Sequence, residues 1–455
     1  MPMESVLHQM PAQAGRIPVG RGEAASSVTS DETRFTRCDP GSAGQDSLLR
    51  QALARGNMVL AWERVKANRG SAGPDGLSIK DTGAVLRTRW PQIRDDLLNG
   101  RYTPQPVRRV QIPKPGGGMR ELGIPSVTDR LIQQALLQVL QPLIDPTFSE
   151  YSYGFRPGRR AHAAVLQAQR YVQDGRRVVV DVDLEKFFDR VNHDVLIDRL
   201  RRRIDDDAVI RLIRRYLNAG IMDGGVVMAR HEGTPQGGPL SPLLANILLD
   251  EVDRELEKRG HRFVRYADDC NVYVCSQQAG ERVLEGLRQL YDRLHLKVNE
   301  AKTAVAPVFG RKFLGYSLWR YRDEVKRAVA TKALDSFKEK IRQITRRTGG
   351  NSMEQVVEQL RKYIPGWKAY FQLAQTPRVF RALDEWLRRR LRALQLKQWR
   401  RGTTMFRELC ALGANQDLAA RIAGHGQRWW RTSRSEIHRV LNNAYFERLG
   451  VPRLS

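Results

Sequence analysis

Cysteine is scarce and scattered in this chain. Its 455 residues include four cysteines, Cys38, Cys270, Cys275 and Cys410. No two of them have C-x-x-C spacing and no histidine cluster accompanies them, which excludes a zinc site and a disulfide framework. The sequence therefore predicts a protein of a reducing cytosol.

Long apolar runs and targeting signals are also lacking. No stretch approaches the ~18 apolar residues of a membrane-spanning helix, and no charged stretch carries the apolar face of an interfacial one. The first residues lack the apolar core of a secretory signal, and Glu4, Glu23, Asp31 and Glu32 argue against a transit peptide. We therefore expect no membrane partner and a cytoplasmic location.

Acidic residues are few relative to basic ones. Lysine and arginine total 77 against 50 aspartates and glutamates, a net charge of +27 and a pI near 10.4. Such an excess favours a polyanionic partner, because each neutralised phosphate releases condensed counterions. A hydrophobic fraction of 41% is typical of soluble globular chains, and the length allows two to four domains.

Strand and helix patterns alternate up to about residue 320, and helices come after, which predicts an α+β protein. The expected strands are 107–113, 119–124, 177–183, 262–266 and 271–275, with further strands near 296–317. The expected helices are 47–66, 84–98, 127–143, 159–174, 192–218, 240–258 and 280–293. Residues 1–45 are rich in small and polar residues, lack periodicity and are expected to be disordered.

Three aspartates are candidates for metal-dependent phosphoryl or nucleotidyl transfer, which needs convergent carboxylates from rigid elements. Asp183 ends a predicted strand, and Asp268 and Asp269 lie at the turn of a short predicted hairpin. An Asp-Asp pair between strands is more often a simple turn. Strand alternation also puts Asp181 on the same face as Asp183, so spacing alone does not choose between them.

The order of several motifs resembles that of reverse transcriptases. Residues 263–269 (FVRYADD) look like their palm motif, and residues 183–189 (DLEKFFD) resemble their first catalytic motif. The resemblance selects Asp183 over Asp181 and suggests Phe188 as a steric gate against ribonucleotides; without it, Phe188 would be an ordinary core aromatic. It implies a right-hand polymerase with fingers, palm and thumb, a ferredoxin-like antiparallel palm sheet and a helical thumb or X domain.

Further motif matches imply contacts with the incoming nucleotide. By resemblance, the residues that bind the dNTP are Arg108, Lys114, Arg120, Phe188, Gln236 and Lys302. Lys302 would act on the pyrophosphate leaving group. The plain alternative for Arg108, Lys114 and Arg120 is a solvated hairpin edge with a glycine-rich tip.

Within reverse transcriptases, the chain is most similar to those of group II introns, and to the bacterial class C proteins among them. Residues 73–76 (GPDG) look like their N-terminal extension and residues 364–371 (IPGWKAYF) like their maturase motif. The expected nucleic-acid contacts are Arg156, Gly237, Asn299, Gly315, Trp367, Arg388, Arg389 and Arg392. The last three would lie on an arginine-rich helix face, for which the alternative is a solvated charged face; Trp429 and Trp430 fit a core as well as a stacking platform.

The resemblance implies RNA-directed DNA polymerisation with two Mg²⁺ ions, for which Mn²⁺ can substitute, held by Asp183, Asp268 and Asp269. The expected partners are group II intron RNA, a template–primer duplex, dNTPs and target DNA, in the bacterial cytoplasm near the nucleoid. No paired His or Cys ligands occur after residue 400, so cleavage of the target strand by this chain is not expected. Two alternatives stay open: a non-enzymatic RNA-binding maturase, and a retron, diversity-generating or domesticated reverse transcriptase.

The expected domain organisation has five segments. They are a disordered tail (1–45), an N-terminal extension with fingers (46–178), a palm (179–320), a thumb or X domain (321–405) and a small basic nucleic-acid-binding segment (406–455).

Overall fold

The computed structural model describes residues 47–455 except 114–117, 224–225, 229–231, 235–236, 426–427 and 435. The predicted tail (1–45) and the predicted nucleotide contacts Lys114 and Gln236 lie outside the described residues.

The chain divides into two compact units. The first contains the described residues up to Arg160 together with Val180–Val272 and Gln278–Val305, and the second contains Ala161–Val179, Tyr273–Gln277 and Ala306–Ser455. The units do not map one to one on the five predicted segments, whose boundaries remain predictions.

Helices and strands are mixed in the first unit, as an α+β protein requires. Its helices are α1 (Leu48–Ala52), α2 (Arg55–Ala67), α3 (Ile79–Leu98), α4 (Val127–Ile144), α6 (His193–Arg201), α7 (Asp207–Asn218), α8 (Ser241–Lys258) and α9 (Gln277–Arg293). The first residue of α9 belongs to the second unit, as does the whole of α5 (Ala161–Gln173). The stretch predicted to be helical, 192–218, forms two helices, because the chain breaks at residues 202–206. Asp206 caps α7 by accepting hydrogen bonds from the backbone N–H groups of Ala208 and Val209.

One sheet of the first unit contains the predicted glycine-tipped hairpin. Strands β1 (Val107–Pro113) and β2 (Met119–Ile124) pair antiparallel with Arg108 opposite Ile124, and their predicted bounds are confirmed. Two short strands that the sequence pattern did not reveal, β4 (Ile221–Asp223) and β5 (Val226–Met228), extend the sheet to the order β2-β1-β4-β5.

A second four-stranded sheet, mainly in the first unit, carries the candidate acids. Its strands are β3 (Val178–Val182), β6 (Arg262–Tyr266), β7 (Asp269–Val274) and β8 (Ala304–Pro307), in the order β6-β7-β3-β8. The central strands β3 and β7 are therefore hydrogen-bonded neighbours. Buried apolar side chains anchor both strands in the core, including Val180 and Val272, each 0% exposed.

The second unit combines a small sheet with helices. The sheet has the order β11-β10-β9, formed by β9 (Lys312–Phe313), β10 (Tyr316–Tyr321) and β11 (Glu324–Val329). Its helices are α5 (Ala161–Gln173), α10 (Thr331–Ile344), α11 (Met353–Tyr370), α12 (Pro377–Trp399), α13 (Gly402–Ala411), α14 (Gln416–Gly424), α15 (Trp429–Thr432) and α16 (Asn443–Arg448). Among the described residues, no helix combines the length and the apolar character needed to span a bilayer.

Candidate active site

Asp183 comes directly after β3 and is fixed by the segment that precedes β8. Its carbonyl accepts a hydrogen bond from the backbone N–H of Asn299 at 2.8 Å, and its own N–H donates to the Thr303 hydroxyl at 3.2 Å. The Lys302 ammonium lies 3.5 Å from each carboxylate oxygen of Asp183. The predicted residues Asn299 and Lys302 are therefore brought together with Asp183.

Asp268 and Asp269 lie at the tip of the β6–β7 hairpin. The turn between the strands has two residues, Ala267 and Asp268. Ala267 has a φ of +59°, in the left-handed region that L-residues other than glycine seldom adopt. The turn presents two adjacent carboxylates beside the strand that leads into Asp183.

The electrostatics of the carboxylates show that they lie close together. Burial, together with the charges of Asp268, Asp183 and Asp181, raises the pKa of Asp269 to about 7. Burial also raises the pKa of Asp268, with a contribution from Asp183. Burial and neighbouring negative charge therefore make ionisation of Asp268 and Asp269 less favourable.

Asp181 faces the same cluster but has a partner within the sheet. The side-chain amide of Asn271, in the orientation that satisfies its neighbours, donates to the Asp181 carboxylate at 3.0 Å. Asp183, in contrast, has a flexible lysine as its side-chain neighbour. This difference favours Asp183 as the acid that is open to a ligand.

The carboxylates fit a divalent cation chemically. Among the described residues, no cluster of three His, Cys, Asp or Glu side chains is already arranged as a metal site. However, the Oδ1 atom of Asp268 is shielded from solvent and has no hydrogen-bond partner. A hard cation would supply both the missing partner and the positive charge that the repelling carboxylates lack, and Mg²⁺ needs only one or two protein carboxylates because it retains water ligands.

Comparisons with known proteins identify the family. Residues 112–318 match the family model "Reverse transcriptase (RNA-dependent DNA polymerase)", and residues 334–410 match "Group II intron, maturase-specific domain". The chain is 35% identical to Protein YkfC of Escherichia coli over 290 residues, which cover 55% of this chain and 76% of that protein. The chain belongs to the group II intron reverse transcriptase and maturase family.

Other relatives of this reverse transcriptase are longer proteins of which it matches a part. It is 34% identical over 248 residues to the group II intron-encoded protein LtrA of Lactococcus lactis, covering 54% of this chain and 39% of LtrA. It is 28% identical to a putative COX1/OXI3 intron 1 protein of Saccharomyces cerevisiae, a match that covers 57% of this chain and 38% of that protein. Among solved structures, a chain of a partial Cas6-RT-Cas1–Cas2 complex is 26% identical to this chain. The match covers 55% of this chain and 43% of that chain, with a TM-score of 0.37.

Of the residues predicted to contact the nucleotide, Arg120 acts electrostatically on Asp268, and Phe188 follows Asp183 by five residues. The positive charge of Arg120, in β2, lowers the pKa of Asp268, against the larger opposing effect of burial. Phe188 lies in a short 3₁₀ turn, half-buried, and its carbonyl accepts a hydrogen bond from the Thr234 N–H at 2.7 Å. A backbone hydrogen bond thus joins the residue that carries this partly exposed aromatic ring to the segment at Thr234.

Arg108 lies on the same sheet, near a second arginine. Burial lowers the pKa of Arg130, and the nearby positive charge of Arg108 lowers it further. The Nε atom of Arg108 is shielded from solvent and has no hydrogen-bond partner. The negative charge of Asp75 acts on Arg130 in the opposite direction and more strongly than that of Arg108.

Arg156, predicted to contact nucleic acid, is buried in the structure. Its guanidinium is buried, pairs with Asp145 at 2.9 Å and donates to the carbonyls of Ser149 and Ser152. Gly237, also predicted as a contact, has a φ of +134°, and a Cβ there would lie 2.7 Å from the Gly123 carbonyl oxygen. These two residues shape the protein around the site through internal packing.

The predicted contacts Trp367 and Gly315 have structural roles in the second unit. Trp367 is 1% exposed, with its ring centroid 4.4 Å from that of Phe337, so it belongs to the core. Gly315 has a φ of +78°, and its carbonyl accepts a hydrogen bond from the Ala330 N–H at 2.9 Å.

The predicted arginine face of α12 is wrong for Arg388. This side chain is 3% exposed and pairs with Asp384 at 3.0 Å. Arg389 stacks over the Trp430 ring at 3.9 Å, and Arg392 donates to the Leu441 carbonyl at 2.8 Å. The latter two remain partly exposed, whereas Arg388 faces the interior, where Asp384, one turn earlier on the same helix, balances its charge.

Sequence reasoning missed a buried polar group beneath the catalytic turn. Arg265 and Asp253 form an ion pair in which both side chains are 0% exposed. The Nη1 atom of Arg265 also donates to the Ala267 carbonyl at 2.9 Å. The available signal was an arginine that follows two apolar residues of β6, Phe263 and Val264, and lies just before the turn.

Proposed function

We propose that this chain is an RNA-directed DNA polymerase that transfers nucleotides from dNTPs to a primer 3′-OH, and that it also assists folding and splicing of a group II intron RNA. The observation that carries the first part is that Asp183 directly follows β3, while Asp268 and Asp269 lie at the turn that leads into β7, the strand hydrogen-bonded to β3. Carboxylates that converge from rigid neighbouring strands are what metal-dependent nucleotidyl transfer requires.

Asp183 and Asp268 would hold Mg²⁺, with Asp269 as the third acid of the site. When bound, such an ion lowers the pKa of the attacking hydroxyl and neutralises charge on the transferring phosphoryl group. Two ions are expected by family resemblance, and Mn²⁺ is expected to substitute for Mg²⁺.

The other residues of the site would position the substrates. Arg120 and the Arg108–Arg130 pair offer guanidinium groups to the triphosphate, and Lys302 is available to the pyrophosphate once a cation takes its place beside Asp183. Phe188 would exclude a ribose 2′-OH by steric contact. Such positioning and charge stabilisation account for most of the catalysis in phosphoryl transfer.

In this proposal, the first unit would contain fingers and palm, and the second unit would contain the thumb. The sheet β6-β7-β3-β8 supports the palm assignment, because it carries the acids on adjacent strands. The maturase part of the proposal is supported by the match of residues 334–410 to a maturase-specific domain. Group II intron RNA, target DNA and a role in retrohoming belong to the same proposal.

The proposal is tested by extension of oligo(dT) on poly(rA). The Asp268→Ala variant should lose extension while its affinity for RNA stays nearly that of the wild type, because the substitution removes a charge at the site and leaves the basic surface unchanged. Detectable extension by this variant would reject the assignment. A wild-type chain that binds intron RNA and promotes splicing but extends no primer would favour the alternative, a non-enzymatic maturase.

A further inference from the structure

A buried polar network lies directly beneath the catalytic turn. The guanidinium of Arg265 makes three hydrogen bonds of 2.6–2.9 Å to the Asp253 carboxylate, which comes from α8. Its Nη1 atom donates to the Asn246 side-chain oxygen, also on α8, at 2.9 Å, and to the Ala267 carbonyl at 2.9 Å. One side chain therefore ties a long helix to the turn that carries the acids.

A third element closes around the same turn. The Asn246 amide donates to the Gly154 carbonyl at 2.9 Å, and the Tyr153 N–H donates to the Arg265 carbonyl at 2.9 Å. A Cβ at Gly154 would lie 2.2 Å from the Ala267 backbone nitrogen, so only glycine fits this approach. Three elements therefore meet around Ala267: helix α8, the segment at Gly154 and strand β6.

The contact between Arg265 and the Ala267 carbonyl also constrains the next residue, Asp268. The peptide unit is planar, so a fixed Ala267 carbonyl fixes the Asp268 nitrogen and Cα as well. Ala267 has a left-handed φ of +59°, a conformation that is unfavourable for residues other than glycine and persists only when the surroundings determine it. The hydrogen bond from Arg265 to the Ala267 carbonyl helps to determine this conformation. The ion pair between Arg265 and Asp253 alone would only join α8 to β6.

We infer that Arg265 is a positioning residue for the metal-binding carboxylates: by holding the Ala267 carbonyl, it fixes the direction in which Asp268 and Asp269 project. The inference rests on the proposed function in that it assumes that these acids bind a divalent cation. Groups that orient metal ligands in this way typically contribute about 10–100-fold to metal affinity or activity.

The test uses the full-length Arg265→Lys variant. A lysine retains the charge opposite Asp253, but its compact ammonium cannot reproduce the planar fork that reaches Asp253, Asn246 and Ala267 together. Binding of Mn²⁺, measured by electron paramagnetic resonance, should weaken by about 10–100-fold. The kcat for poly(rA)/oligo(dT) extension should fall by a similar factor, while the KM for dTTP and the affinity for template–primer stay near the wild-type values.

A matched control is available on the same helix. Asp250 is 2% exposed and lies about one turn before Asp253; its carboxylate pairs with Arg203 at 2.6 Å and accepts from the Ser149 N–H at 3.2 Å, and it is not a direct partner of the Arg265 guanidinium or of the Ala267 carbonyl. The Asp250→Asn variant should lower the Tm and leave the Mn²⁺ affinity unchanged. Loss of Mn²⁺ affinity by Asp250→Asn equal to that of Arg265→Lys would show a general packing effect and overturn the inference.

A milder variant covers the case in which Arg265→Lys does not fold. Asn246→Ala removes one link of the network without leaving a charge unpaired, and it should shift Mn²⁺ affinity and kcat in the same direction by a smaller factor. Wild-type Mn²⁺ affinity in either folded variant would refute the positioning role. If the wild-type chain extends no primer, the proposed function fails, and the Mn²⁺ titrations still decide the role of Arg265.

Discussion

At the scale of single residues, Asp269 is a carboxyl group held among other carboxyl groups. Burial and the charges of Asp268, Asp183 and Asp181 all make its ionisation unfavourable. Such clusters of like charge lower the stability of the protein when no cation is bound, and they are typical of functional sites. The site is therefore expected to be a place where function and stability oppose each other.

Replacing Asp269 by asparagine should accordingly stabilise the metal-free chain. In EDTA we expect a gain of about 1 kcal/mol, or roughly 2–4 °C in Tm, because one of the repelling charges is removed at nearly constant volume. Differential scanning calorimetry in EDTA measures the change, with primer extension as the companion assay, in which the variant should be inactive. A variant that melts below the wild type in EDTA would contradict the prediction.

The acids themselves were predictable from the sequence, but the residues that hold them were not. Motif resemblance selected Asp183 over Asp181, and the hydrogen bond from Asn271 to Asp181 gives the choice a physical reason. Arg265 lacked such a signal, because its partner Asp253 lies on a helix and a charged residue in a strand is usually assumed to face solvent. Buried ion pairs become visible only when the elements are packed together.

At the scale of elements, the strands and helices with strong periodicity were predicted well. Both strands of the β1–β2 hairpin have the bounds that their alternation indicated. The strands β4, β5 and β11 were missed, because two of them have only three residues and the third, Glu324–Val329, carries charged residues between its valines. Their pairing depends on neighbouring strands more than on their own pattern.

Helix α12 shows how an arginine-rich sequence can be misread. Periodicity alone put Arg388 on a charged face, whereas the described helix buries it against Asp384, whose carboxylate also accepts hydrogen bonds from the N–H groups of Leu454 and Ser455. Arg388 therefore organises the second unit from within.

We expect Arg388→Gln to act on stability. Leaving Asp384 buried without its cation should cost about 3–5 kcal/mol, which corresponds to a Tm lower by roughly 10 °C. Thermal denaturation measures this, with Arg381→Gln, an exposed position on the same helix, as the control that should leave the Tm unchanged. RNA affinity, measured below the melting transition, should be the same for wild type and Arg388→Gln; a selective loss of affinity at unchanged Tm would instead indicate a phosphate contact.

At the scale of the whole chain, the net charge of +27 determines how nucleic acid is bound. Phosphate contacts distributed over many basic residues make affinity strongly dependent on salt, because every contact releases a counterion. Composition alone predicts this property, and it needs no knowledge of the fold.

The affinity of the full chain for RNA should fall by about 10³-fold or more between 50 and 200 mM salt. Filter binding at several salt concentrations measures the slope of log affinity against log salt. Asp268→Ala provides the control, since its slope should equal that of the wild type. A nearly flat dependence would mean that recognition relies on few phosphate contacts, against the expectation from charge.

The way Asp183 is anchored has a consequence for synthesis of the protein. Its backbone is bonded to Asn299 and Thr303, and the hairpin with Asp268 and Asp269 is also made long after residue 183. A nascent chain that has emerged from the ribosome only as far as β6 therefore holds one acid without its companions, and no catalytic centre exists until residues near 303 are free to fold. If the three acids act as proposed, a fragment that ends before about residue 303 should be unable to copy RNA.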